Sequence, residues 1–183
     1  ELFKLRELNL SETNIYDIRV LENLDMLEKI EIAGTGIRNL DSFVNFPELK
    51  YLNCENTSVT LIEPLKNLEK LEVLKISFTG IEQIASLSGI SSLKRIYWDS
   101  GEIFQVNREK KKKEAIAFMK NNPGSLVIFE SAELLSGWAT LEEPWKKLAI
   151  NAAKLGENPT KEELHALLQL EEINLSESAI TTL

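Results

Sequence analysis

Residues 71–92 read LEVLKISFTGIEQIASLSGISS, and two different spacings meet inside them. Leu71, Leu74 and Ile76 fit a short strand with one buried face, because residues two apart share a side of the pleat. Thr79, Ile81, Ile84, Leu87 and Ile90 then recur at intervals of two or three, which suits an extended or 3₁₀ return on the opposite side. Stepping outward by 22 residues finds the same frame again at Leu5, Leu27, Leu49 and Leu93. Leu8, Leu10, Thr13, Ile15, Ile18, Leu21 and Leu24 complete the first copy. Ile30, Ile32, Thr35, Ile37, Leu40, Phe43 and Phe46 complete the second. Leu52, Cys54, Thr57, Val59, Ile62, Leu65 and Leu68 complete the third. A fifth copy runs through Ile96, Trp98, Gly101, Ile103 and Val106 before the pattern is lost. No single copy can bury its own apolar face, so the copies must stack, roughly 4.8 Å apart along a parallel sheet.

The pattern LxxLxLxxTxIxxLxxLxxL resembles the leucine-rich repeat family, in particular the 22-residue class of bacterial internalin-like proteins and of a phosphatase regulatory subunit. The resemblance covers residues 1–107 and returns at 170–183. It implies an α/β fold: a right-handed leucine-rich repeat solenoid with a parallel concave sheet, plus a helical cap segment. Family members usually carry Asn in the slot held here by Thr13, Thr35, Thr57 and Thr79, where it bonds backbone groups of neighbouring turns. A threonine hydroxyl both donates and accepts, so a threonine ladder can substitute.

A solenoid exposes apolar core at its ends, and each end needs a cap. Residues 108–134 fit a C-terminal cap of helix plus strand. Arg108 to Lys120 has helical character with Ala115, Ile116 and Met119 on one side, Asn121-Asn-Pro-Gly124 ends it, and Ser125 to Phe129 reads as a buried strand. Residues 135–169 resemble an N-terminal cap. Two helices are expected there, each opened by a capping box, Thr140-Leu-Glu-Glu143 and Thr160-Lys-Glu-Glu163. Leu141, Trp145, Leu148, Ala149, Ala152 and Leu155 follow helical spacing in the first, and Gly156 is its natural stop. Residues 170–183, LEEINLSESAITTL, then repeat residues 5–18, LRELNLSETNIYDI, with Leu170 equivalent to Leu5. This start of a further repeat suggests a larger module recurring in a longer tandem protein. It also suggests head-to-tail self-association, the repeat of one molecule stacking on the first repeat of the next, or a segment folded back on its own helices.

Composition narrows the function. With 183 residues and 43% hydrophobic content the chain can bury a sizeable core, and no apolar run is long enough to span a membrane. A net charge of −8 disfavours nucleic acid, and the basic run Arg108 to Lys113 reads as a solvated helix face. The single cysteine, Cys54, cannot form an internal disulfide and leans towards a reducing, cytoplasmic compartment or a bacterial source. It occupies the buried strand slot of Leu10, Ile32 and Ile76, which makes it core. The lone His165 has no positioned nucleophile nearby and reads as a surface or cap histidine. No cysteine or histidine cluster suggests a metal, Gly34-Thr-Gly36 lacks dinucleotide-loop spacing, and no catalytic residue or cofactor is assigned.

What remains is surface. Strand residues alternating with the buried leucines point to the concave face: Glu7, Asn9, Ser11 and Glu12, then Lys29 and Glu31, then Tyr51, Asn53 and Glu55. Repeat four offers Val73, Lys75, Ser77 and Phe78, and repeat five Arg95, Tyr97 and Asp99. Aromatic and arginine side chains carry interface hot spots, so Tyr51, Val73, Lys75, Phe78, Arg95 and Tyr97 are the candidate partner-binding residues. The expected function is a non-catalytic protein–protein interaction module with a protein partner. The alternative is a structural spacer or self-assembling element of a longer tandem-repeat protein.

Overall fold

The computed structural model describes residues 2–101 and 108–167. Among the described residues six strands form one parallel sheet in chain order: β1 (Glu7–Asn9), β2 (Lys29–Glu31), β3 (Tyr51–Asn53), β4 (Val73–Lys75), β5 (Arg95–Tyr97) and β6 (Leu126–Ile128). Register follows the 22-residue frame, aligning Leu8, Ile30, Leu52, Leu74 and Ile96 with Val127 as one inward column. From Ile30 to Val127 every member of that column is fully buried. Leu27, Leu49, Leu71 and Leu93 form a second buried column, and Ile32, Cys54, Ile76 and Trp98 a third. The polypeptide returns through 3₁₀ turns at Arg19–Leu21, Asp41–Asn45, Glu63–Asn67 and Ala85–Gly89, the last three each burying one apolar residue, Phe43, Leu65 or Leu87. Amides of those three residues donate to the carbonyls of Leu40, Ile62 and Ile84, each at 3.0 Å, giving the three-residue period a direct cause.

Each of the first four strands leaves the sheet through a left-handed residue at the same place in the frame: Glu12, Gly34, Asn56 and Phe78, with φ between 54° and 65°. Their amides donate to the carbonyls of Ala33, Glu55, Ser77 and Asp99 in the next repeat, at 2.8, 2.9, 3.1 and 2.9 Å. The backbone kink thus continues the inter-repeat ladder one step past the strand. At Gly34 a Cβ would also run into the Glu12 carboxylate.

The threonine slot works differently from the expectation. Thr13, Thr35, Thr57 and Thr79 donate their hydroxyls to the carbonyls of Leu10, Ile32, Cys54 and Ile76, three residues back in their own turn, at 2.6–2.7 Å. A threonine side chain is too short to bridge turns as the longer asparagine can, so it closes its own turn instead.

After the fifth strand, α1 (Arg108–Asn121) lies against the last 3₁₀ turn and β6. Ala115, Phe118 and Met119 are its buried apolar residues, whereas Ile116, expected on that side, is 48% exposed. Glu114 accepts from the amides of Ile84 (3.3 Å) and Ala85 (3.1 Å), tying the helix to the start of that turn. Lys111 departs from the solvated-face reading of the basic run: it is buried, its ammonium 5.0 Å from the Trp98 ring centroid. Burial lowers its pKa, opposed by the charge of Glu82. The Trp98 indole in turn donates to the Ile81 carbonyl at 3.1 Å.

The first compact unit ends at Phe129 and the second begins at Glu130, ahead of residue 134, where the cap was expected to end. Among its described residues the second unit holds α2 (Ser131–Thr140), which was not expected, then α3 (Glu143–Ala153) and α4 (Lys161–Leu167), where two helices were expected, with α4 touching both others. Thr140 closes α2, its hydroxyl bonding the carbonyls of Ser136 (3.2 Å) and Gly137 (3.1 Å), so the first capping box does not form and Pro144 opens α3 instead. The second box forms reciprocally: the Thr160 amide donates to Glu163 Oε2 at 2.7 Å, and the Glu163 amide to Thr160 Oγ1 at 3.2 Å. Helix α3 stops at Lys154, in the left-handed region at φ 53°, two residues before Gly156. Ile103, Val106 and the repeat at 170–183 lie outside the described residues.

Candidate functional site

The outward side of the sheet is built from two register rows. Glu7, Lys29, Tyr51, Val73 and Arg95 make the first, and Asn9, Glu31, Asn53, Lys75 and Tyr97 the second. Five of the six residues singled out from the sequence therefore occupy three adjacent strands, β3 to β5. Phe78 stands apart, at the left-handed turn beyond β4, and is 44% exposed. Ser77, expected beside it on the face, is instead buried, its hydroxyl accepting the Asp99 amide at 3.1 Å. Asn53 is also buried; its side-chain oxygen accepts the Glu55 amide at 3.1 Å, which fixes the exit from β3.

Lys75 sits between two rings, its ammonium 5.9 Å from the Tyr51 centroid and 5.1 Å from that of Tyr97. Burial works to lower its pKa, but charge and hydrogen-bonding effects of Tyr51, with the charges of Glu55 and Tyr97, outweigh burial and leave it raised. Lys29 approaches Tyr51 from the other side at 5.2 Å while pairing with Glu31 at 2.7 Å. The four side chains Lys29, Tyr51, Lys75 and Tyr97 alternate cation and ring across β2 to β5, an order that brings each ammonium near an electron-rich face. Lys29 is the residue that a list of aromatics and lone cations passes over. Its signal was present: it lies one register step from Tyr51.

A second feature becomes legible only when the repeats are superposed. The position before each of the first five strands holds Arg6, Glu28, Lys50, Glu72 and Lys94, alternating in sign along the stack. Glu28 pairs with Arg6 and accepts from Lys50 at 2.6 Å; Glu72 accepts from Lys94 at 2.6 Å. Hydrogen bonds from Lys50 and Arg6 hold the Glu28 carboxyl below its usual range, and Lys94 does the same for Glu72. This ladder borders the face with charges that already have partners.

Cys54 is fully buried and desolvation pushes its thiol pKa up to about 12. His165 is buried, not on the surface, its Nδ1 2.6 Å from the Lys161 carbonyl oxygen. Among the described residues no cluster of His, Cys, Asp or Glu could hold a metal ion, and no helix is long and apolar enough to cross a membrane.

Solved structures with the same stacking decide the fold. Internalin C2 from Listeria monocytogenes superposes with a TM-score of 0.58 at 22% identity, covering 70% of this chain and 53% of that one. The chain has the leucine-rich repeat fold. A second Listeria monocytogenes internalin, InlF, gives a TM-score of 0.51 at 18% identity over 69% of this chain and 41% of its own. A leucine-rich repeat protein of Leptospira interrogans gives 0.51 at 17% over 69% and 37%. The leucine-rich repeat chain described here thus spans about half the length of the first and less of the other two. No protein-family model and no curated protein matches the sequence.

Proposed function

We propose that this leucine-rich repeat chain is a non-catalytic module that captures a protein partner on the face of β3 to β5, through Tyr51, Val73, Lys75, Phe78, Arg95 and Tyr97. The observation that supports it most is Phe78. A bulky aromatic held at φ 59° and 44% exposed is an unfavourable choice for its backbone, and other repeats use Glu, Gly or Asn there. Such a residue makes sense where its ring meets something outside the chain. Tyr51 and Tyr97 add large, rigid surface with two side-chain torsions each, which costs little entropy on binding.

The test starts from ligands selected on the intact chain out of a displayed random-peptide library. The double variant Phe78→Ala, Tyr97→Ala should bind them at least about tenfold more weakly, with thermal stability nearly unchanged. Undiminished binding by the double variant would remove the proposal.

A structural role is the second reading, favoured by β1. It is the first strand in the sheet order, and Leu5, Leu8 and Leu10 are only partly buried where their counterparts in later repeats are fully so. Residues 170–183 repeat residues 5–18 and carry Glu171 where the charge ladder has Arg6, so a second copy's segment could extend both columns and alternation. Light scattering across concentration, comparing the chain with one ending at Leu168, separates the readings. Association that disappears on truncation supports head-to-tail stacking; a monomer in both cases counts against it.

A further inference from the structure

Cations on the sheet side fall into two groups. Arg6, Lys29, Lys50 and Lys94 each pair with a carboxylate in their own or the adjacent repeat. Among the described residues no ion pair joins a carboxylate to Lys75 or Arg95, although the chain carries eight more acidic than basic side chains. These two cations lie on adjacent strands in adjacent register rows, Val73 opposite Arg95 and Lys75 opposite Tyr97. Their backbones are therefore about 8 Å apart, within reach of one anion held between two long side chains. Tyr51 and Tyr97 flank the site and would exclude water from it, strengthening a charge-assisted hydrogen bond there.

Resting on the interaction-module reading above, we infer that the partner presents an extended segment with a single acidic side chain between apolar neighbours, its carboxylate bridging Lys75 and Arg95. The surroundings limit the charge such a ligand can bring. Glu31 stands in the second row and the charge of Glu55 already acts on Lys75, so repulsion within a Debye length grows with every negative charge a ligand adds, and a single carboxylate meets the least of it. An extended segment also matches the surface: side chains alternating on a strand fall at the spacing of the rows beneath them. An arginine fork gives the carboxylate directional contacts, and the lysine adds a point charge from the facing strand.

The probes are two capped pentapeptides, acetyl-Thr-Val-Glu-Val-Thr-amide and its Gln isostere, titrated into isotope-labelled full chain and followed by two-dimensional amide NMR. The Glu peptide should shift the signals of Lys75, Arg95 and Tyr97 saturably and bind about tenfold more tightly than the Gln peptide. That advantage should shrink at higher salt and vanish in the surface variant Lys75→Gln, Arg95→Gln. Equal binding of both peptides at these signals would overturn the acidic-segment inference and leave the binding face standing. Persistence of the Glu preference in the variant would overturn the inference as well. Shifts from either peptide confined to signals away from β3 to β5, or no saturable shift from the Glu peptide, would also overturn it. The broader reading falls separately, on library ligands indifferent to the alanine pair.

Discussion

Position 78 holds a bulky aromatic in the left-handed region, at φ 59°. The left-handed conformation costs an ordinary L-residue on the order of 1–2 kcal/mol, and the inter-repeat bond from the Phe78 amide to Asp99 requires it. Phe78→Gly should therefore keep the unfolding free energy within about 0.5 kcal/mol of wild type, or raise it, since glycine relieves strain while losing only partial ring burial. Phe43→Ala, by contrast, empties a fully buried site and should cost about 3–5 kcal/mol. Denaturant unfolding of the two variants checks this, and a loss above about 2 kcal/mol at Phe78 would contradict the strained-contact account. Cys54 gives a second check at this scale. Its thiol ionises near 9 when exposed but only at about 12 in the fold, so the unfolded chain releases the proton first and stability declines as pH rises through that window. Cys54→Val should remove that part of the decline, and a thiol reagent at pH 8 should label wild type only in denaturant. Labelling of the folded chain would place the thiol outside the core. Residues such as Cys54 were legible because the repeat frame assigns each position a side. Ser77 was misplaced because alternation was extended past the strand's end, where the left-handed turn rotates the next side chains. The pairing of Lys29 with Tyr51 needed register between repeats, which no single repeat states.

Among the elements, those made by repetition were the readable ones. The strand at 73–75 and the 3₁₀ turn at 85–89 lie where Leu71, Leu74 and Ile76 and then Ile84, Leu87 and Ile90 place them. Helices outside the array had one copy of each signal and were read less well. Two identical-looking capping boxes had different fates because Thr140 is consumed by α2, a helix over SAELLSGWAT that Gly137 disguised, whereas Thr160 follows Pro159 and is free to cap. The contrast is measurable. Thr160→Ala should destabilise α4 by about 1 kcal/mol, raising amide exchange through Lys161–Leu167, while Thr140→Ala should leave exchange in α3 unchanged. Equal effects on the two helices would contradict the assigned caps.

At the scale of the whole molecule, stability of the first unit resides in stacking, since no repeat encloses its own leucines. Leu52→Ala, in the middle of the inward column, should lower unfolding free energy by about 2–5 kcal/mol, and a cost below about 1 kcal/mol would mean the column is not close-packed. The same stacking leaves the outward rows free to vary, and it is there, on β3 to β5, that aromatic residues gather beside Lys75 and Arg95, which among the described residues form no ion pair. Hydroxyl-radical footprinting of the chain with a library-selected ligand tests the proposed placement of binding on these strands most directly. Tyr51, Phe78 and Tyr97 should be protected from oxidation by the ligand, while Tyr16 and Phe3, 73% and 64% exposed at positions off the face, should oxidise as before. Protection of Tyr16 or Phe3 with none at Tyr51, Phe78 and Tyr97 would mean that this face is not where the molecule meets its partner.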